Sequence, residues 1–182
     1  MSWREFAQAR ERELLKIRDG FKAEKPSTEN DASEPDVSGL APELVEVWEK
    51  EGGVAENLAT ARGTAQRALD ELEPDEQAGL TQSFDALPAS AKTEVFKYIA
   101  IKPGNWRAAD EAAVEAFRSM PEGQELIGEW GDKAAKHVGV VQGRIGLMLR
   151  SMPAADREKA EAWFDALTSA QAKAVLKALA GG

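Results

Sequence analysis

Two aspartates at matching positions are the first residues of this chain that could do chemistry. Asp85 lies in the sequence Phe-Asp-Ala-Leu, and Asp165 lies in the same four residues 80 positions later. Two carboxylates that converge in one cleft can serve as general acid and general base, because their environments separate their pKa values. Carboxylates on helix surfaces usually face water or an adjoining turn. We therefore expect both aspartates to be structural, and an acid/base pair is the less favoured alternative.

His137 is the second candidate, because it is the single histidine. An imidazole titrates near neutral pH and can act as a general base. Catalysis would also require an orienting carboxylate and a nucleophile, and the sequence shows no such set. At an offset of 82 positions, the earlier part of the chain has Ala55 in its place. We expect His137 to lie on the surface.

Composition removes several classes of chemistry. The chain has no cysteine, which excludes thiol catalysis, disulfides, iron–sulfur clusters and thiolate zinc sites. The sequence also has no histidine pair, no Glu-x-x-His motif and no calcium-loop spacing. We therefore expect no catalytic activity, no metal and no cofactor. An enzyme using Asp85, Asp165 or His137 is the least favoured of three function classes.

The charge of the chain argues against nucleic acid as a partner. It has 23 basic and 32 acidic residues, a formal net charge of −9, and residues 40–100 hold five basic and twelve acidic residues. Direct nucleic-acid binding requires clustered Lys and Arg. No apolar run reaches the roughly 18 residues of a membrane span, and no signal-peptide pattern opens the sequence. We expect a cytoplasmic protein with no membrane contact.

A repeat surrounds both aspartates and decides the architecture. Residues Val95, Lys97 and Ala100 recur 80 positions later. Further upstream, an offset of 82 positions relates four residues, Glu43, Leu44, Trp48 and Arg62, to Glu125, Leu126, Trp130 and Arg144. A side chain that recurs in this way is more often a packing residue than half of an active site.

Apolar residues at helical spacing throughout the chain, with no sustained alternation, predict an all-α protein. Prolines at the first turns and the capping-box spacing from Thr168 to Gln171 mark helix starts. We predict four segments: an N-terminal helical arm at 1–24, a flexible acidic linker at 25–39, helical module 1 at 40–105, and a bridging helix with helical module 2 at 106–182. The bridging helix, at about 106–119, is expected to pack the two modules together.

The arm carries a narrow apolar stripe that consists of Trp3, Phe6, Leu14, Ile17 and Phe21. Two interpretations are open: the stripe docks on the rest of the chain, or it binds a partner or a second copy. Two prolines and four acidic residues in the linker favour a flexible tether. We therefore predict that the five stripe residues bind a partner, and that the tether raises the effective concentration of a second contact.

Residues 121–182 resemble the C-terminal module of the capsid-assembly (scaffolding) proteins of tailed bacteriophages. The resemblance is carried by the Glu-Trp-Gly helix at 121–131, the following helix with Arg144, and the closing sequence at 174–181, Ala-Val-Leu-Lys-Ala-Leu-Ala-Gly. It implies a phage or prophage assembly or virion-associated protein, in the host cytoplasm or the virion. The implied partners are proteins such as capsid or portal components, with a homo-oligomer as a further option.

A bacterial adaptor or regulator is the competing class of function. In that class the two modules form a groove for the helix of a partner. Both classes act by protein–protein contact, and neither requires a catalytic residue.

Overall fold

The structure is a computed structural model that describes Phe6 and residues 42–50, 53–100 and 106–181. These residues form α-helices joined by short connections, and no strand occurs among them. The all-α prediction is therefore confirmed. No helix within the described ranges combines the length and the apolar character that a membrane span requires.

The first copy of the repeat contributes four helices: α1 (Pro42–Lys50), α2 (Val54–Asp70), α3 (Pro74–Asp85) and α4 (Ala89–Ala100). Prolines begin α1 and α3 as predicted, because the first helical position needs no backbone N–H donor. A further helix, α5 (Glu111–Arg118), then leads to the second copy.

The second copy repeats the same order of helices: α6 (Gly123–Trp130), a 3₁₀ turn at Gly131–Lys133, then α7 (Ala134–Ser151), α8 (Ala154–Ala166) and α9 (Ser169–Ala180). The last three of these helices each begin 80 positions after their counterparts α2, α3 and α4. The predicted capping box of α9 is confirmed. Thr168 Oγ1 accepts from the backbone N–H of Gln171 at 3.2 Å, and Gln171 Oε1 accepts from the backbone N–H of Thr168 at 3.1 Å.

The register between the copies changes after their first helices. An offset of 82 relates Leu44 to Leu126, and both are buried. From Trp48 to the start of α2 the chain advances six positions, but from Trp130 to the start of α7 it advances four. The offset is therefore 80 from α2 onward.

The shift of the offset from 82 to 80 shows that one alignment made from the sequence is wrong. We aligned Arg62 with Arg144, but Arg62 is exposed and Arg144 is fully buried. At an offset of 80, Arg144 aligns with Thr64, which is buried as well. His137 likewise aligns with Asn57 and not with Ala55.

The two copies pack directly on each other through reciprocal pairs of helices. Helix α2 packs on α9, and α4 packs on α7, which exchanges the roles of the copies. The pairs α3 with α9 and α8 with α4 are reciprocal in the same way. This is the pattern of an isologous interface, here between two parts of one chain. The apolar faces of both copies therefore share one core.

Helix α5 makes its main helix contacts within the second copy, whereas we predicted that it packs the two copies together. It packs on α6 and α7, which both belong to the second copy. It also begins later than expected, at Glu111, because the Asp110 carboxylate caps it by accepting from the backbone N–H of Ala113 at 2.9 Å. The non-helical segment before it crosses α7 at Gly139, where a Cβ atom would overlap the carbonyl oxygen of Arg107.

The last three helices of each copy carry opposite net charge. Residues 53–100 have eight acidic and four basic residues, whereas the equivalent residues 133–180 have four acidic and eight basic residues. Lys177 of the second copy bridges to Glu71 of the first at 2.9 Å and to Glu129 at 2.6 Å. The opposite charge of these two sets of helices favours their association in addition to their apolar contact.

Arg144 is the largest charged group in the shared core. Its Nη1 donates to the carbonyl oxygen of Leu179, in the last turn of α9, at 2.8 Å. Burial lowers the pKa of Arg144 to about 10, while the nearby Tyr98 acts in the opposite direction. The guanidinium therefore stays charged at neutral pH, where it interacts favourably with the negative carboxyl end of the helix.

We predict that Arg144→Ala lowers the free energy of unfolding by about 3 kcal/mol, because it leaves a cavity and removes the donor to Leu179. The matched control is Arg62→Ala, the partner that the sequence repeat suggested. This exposed residue should change the free energy by less than about 0.5 kcal/mol. Urea unfolding of both variants measures the difference, and equal effects would contradict the register described above.

Candidate binding pocket

The two candidate aspartates are both exposed. Asp85 is the last residue of α3, and Asp165 lies in the last turn of α8. Asp85 lies at the edge of the pocket described below, whereas Asp165 is not among the residues that line it. The structure therefore assigns them different surroundings despite their matching positions in the repeat.

His137 is half-buried, so the expectation of a surface position is wrong. Its ring packs on Trp130 with a centroid distance of 5.1 Å, and it lies near the backbone of Ala180 at the end of α9. Burial lowers its pKa, the Ala180 contact opposes this, and the neighbouring Lys133 and Lys136 lower the pKa further. His137 therefore joins Arg144 at the carboxyl end of α9.

Of the five stripe residues of the arm, the structure describes Phe6. Its side chain is 1% exposed, and its ring centroid lies 5.5 Å from that of Phe117 in α5. Its carbonyl oxygen accepts from Gln142 Nε2 at 2.7 Å. Phe6 therefore packs within the chain, as the docking interpretation requires. Trp3, Leu14, Ile17 and Phe21 lie outside the described residues, and their partner-binding role stays a prediction.

A pocket of about 540 Å³ opens between α2, α3 and α4 of the first copy. Helices α8 and α9 of the second copy close one side of it. An aromatic group forms part of the wall: the ring centroid of Phe84 lies 5.6 Å from that of Phe96 and 5.9 Å from that of Trp163. This volume is within the usual range of ligand pockets.

The pocket exists because small residues in the first copy replace large residues in the second. Ala65 and Ala68 line the pocket from α2. Their equivalents in α7, at an offset of 80, are Ile145 and Met148, which are both 0% exposed. The second copy therefore fills with its own side chains the position that the first copy leaves open. Phe84 likewise lines the pocket, whereas its equivalent, Phe164, is buried in the core.

Polar groups are confined to a few positions of the pocket wall. They are supplied by Thr81, Asp85, Lys92 and Thr93. Lys92 Nζ donates to the backbone carbonyl of Asp85 at 3.2 Å, and Trp163 Nε1 donates to Ser83 Oγ at 3.0 Å. The rest of the lining is apolar, so the pocket is suited to apolar groups of another molecule. In the described parts of the chain, no group of three or more His, Asp or Glu residues could hold a metal ion.

Sequence reasoning missed this pocket because alanines at helical spacing, as in α2, are also typical of a closely packed inner face. A signal was present in the repeat. When the copies are aligned at an offset of 80, Ala65 and Ala68 are both smaller than their equivalents. Loss of volume at two neighbouring core positions of one copy predicts either a closer approach of helices or a cavity.

We expect the free energy of unfolding to fall as the pH is lowered from about 7.5 to about 5.5, because His137 binds its proton less readily in the folded chain. The contribution is present above the unfolded-state pKa of about 6.5 and is lost as the pH falls below it. Denaturant unfolding at several pH values measures the slope. His137→Gln should flatten this slope, and an equally steep slope in the variant would contradict the burial of the imidazole.

We predict that the double substitution Ala65→Ile and Ala68→Met, which copies the second repeat into the first, fills the pocket. Binding of an uncharged apolar dye such as Nile red should weaken by about tenfold or more, since burial of one large apolar group contributes about 1.5–3 kcal/mol. Ala55→Met, at an exposed position of the same helix, is the matched control and should bind dye as the original chain does. Unchanged dye binding in the double variant would show that the dye binds elsewhere.

No protein-family model, curated protein or solved structure matches this chain. The resemblance of residues 121–182 to phage scaffolding modules therefore stays a prediction that depends on the residues quoted for it. The pocket in the first copy is the feature of the described structure from which a function can be argued.

Proposed function

We propose that this chain is a non-catalytic protein that acts by protein–protein contact and receives the apolar face of a partner helix in its pocket. The observation that carries the proposal is the pocket that Ala65 and Ala68 open in the first copy. Grooves between helices commonly receive an amphipathic helix whose anchors recur at three- and four-residue spacing.

The shape of the site favours a helix over a compact small molecule. A shallow depression lies beside the pocket, between the end of α2 and the outer side of α3. The pocket and the depression share Leu69, Thr81 and Asp85, so they form one elongated surface along α3. An elongated surface with one deep apolar part can hold the large anchors of a helix and support its remaining length.

The second copy of the repeat supplies buried core residues and part of the wall of this pocket. The second copy contributes the fully buried residues Ile145 and Met148 at the positions where the first copy has alanines. Its helices α8 and α9 also supply one side of the pocket, including Trp163. The proposed division is that the second copy supplies much of the shared core, while the first copy exposes apolar surface for the partner.

Two biological settings are proposed for this function. In a phage or prophage assembly protein, the partner helix would belong to a capsid or portal component. In an adaptor or regulator, it would belong to a host protein. Genes next to this one distinguish the settings, because capsid and portal genes would favour the first and regulatory genes the second.

The test uses a fluorescent amphipathic peptide of about five helical turns, with Leu at three- and four-residue spacing and Gln elsewhere. We expect it to bind the full chain and to bind the Ala65→Ile/Ala68→Met variant at least about tenfold more weakly, because its anchors lose their pocket. Fluorescence anisotropy measures both affinities, and Ala55→Met is the matched control. Equal binding by the filled variant, or by a scrambled peptide, would contradict the proposed function.

A further inference from the structure

We infer that the partner helix is basic, and that its positive residues meet acidic side chains along α3. This inference rests on the proposed function, because it describes the occupant of the same pocket. It follows from the distribution of charge around the pocket, which differs sharply between the two copies.

The acidic residues concentrate where α2 gives way to α3. Five of the seven residues at 70–76 are acidic, whereas the equivalent residues 150–156 contain one acidic and one basic side chain. Leu69 and Pro74, which flank or belong to this turn, both line the depression that continues the pocket. The acidic turn therefore lies at one end of the elongated surface.

Some of these carboxylates already have partners within the chain. Glu71 pairs with Lys177, Glu76 accepts from Thr168 Oγ1 at 2.8 Å, and Asp70 accepts from Gln66 Nε2 at 2.7 Å. Glu73 and Asp75 are exposed at the start of α3. These two carboxylates are therefore the best placed to receive cations from another molecule.

Asp85 supplies an acidic group at the other end of α3. It is exposed and belongs to both the pocket and the depression. Lys92 is the cation in the pocket wall, and its ammonium is directed to the backbone carbonyl of Asp85. Ten residues of α3 separate Asp75 from Asp85, a distance of about 15 Å along the helix.

These positions define the chemistry of the occupant. A helix lying along α3 would place apolar anchors between Phe84 and the alanines of α2. Basic residues about ten positions apart, close to three turns, would then reach the two acidic ends of the surface. The first copy as a whole supports this choice, because residues 40–100 carry twelve acidic and five basic residues. Charge of this sign attracts a cationic partner before contact.

The test compares three peptides with the same Leu face and with Lys, Gln or Glu on the polar face. We expect the Lys peptide to bind the full chain about fivefold or more tightly than the Gln peptide, and the Glu peptide to bind most weakly. Added salt should reduce the advantage of the Lys peptide, because these charges are exposed.

A variant that lacks three acidic groups tests whether the preference for the Lys peptide arises at this surface. The triple substitution Glu73→Gln, Asp75→Asn and Asp85→Asn should remove most of the preference for Lys and leave the Gln peptide unaffected. The matched control removes three exposed acidic groups away from the pocket, by Glu56→Gln, Glu158→Gln and Asp165→Asn. This control should keep most of the preference, although it changes the net charge by the same amount.

The outcomes separate this inference from the proposed function. Equal affinity for the Lys and Gln peptides, or an equal loss in the triple variant and its control, would overturn the basic partner and leave the pocket intact. Binding of all three peptides that does not change in the Ala65→Ile/Ala68→Met variant would overturn the proposed function. Self-association that the filled variant abolishes and the Lys peptide cannot disperse would make a second copy the occupant, and would overturn the inference.

Discussion

The reciprocal packing of the two copies is the interaction on which the rest of the structure depends. Helices α2 and α4 of the first copy pack on α9 and α7 of the second, so the buried apolar residues of both copies form one continuous core. Short amphipathic helices gain most of their stability from such tertiary contact. The buried end of α9, with Arg144 and His137 beside it, lies within this arrangement. A substitution in the core of either copy should therefore destabilise both copies.

Much of the fold could be predicted from the sequence because its determinants are local. Pro42, Pro74 and the capping box at Thr168 each fix a helix start through the backbone groups next to them. The repeat also predicted two similar sets of helices. The relation between these sets could not be predicted in the same way, because it depends on contacts between residues that are distant in the sequence.

The predictions from the sequence that were wrong failed for specific physical reasons. The alignment of Arg62 with Arg144 failed because the first copy has two extra residues before α2, which a comparison of isolated residues does not reveal. Helix α5 was expected between the copies because it lies between them in the sequence, but its main contacts are with α6 and α7 of the second copy. The pocket was missed because an alanine on an inner face indicates burial without showing whether a larger neighbour fills the remaining space.

The unequal charges of the copies have a consequence for how the molecule approaches other molecules. Residues 40–100 hold twelve acidic and five basic residues, whereas residues 121–182 hold eight of each. A chain with one acidic and one neutral part has an electric dipole moment, so a charged surface exerts a torque on it as well as a force. An approaching cationic partner would turn the acidic part toward itself before the surfaces meet. Orientation during approach would thus be set by the divergence of two copies that otherwise share one arrangement of helices.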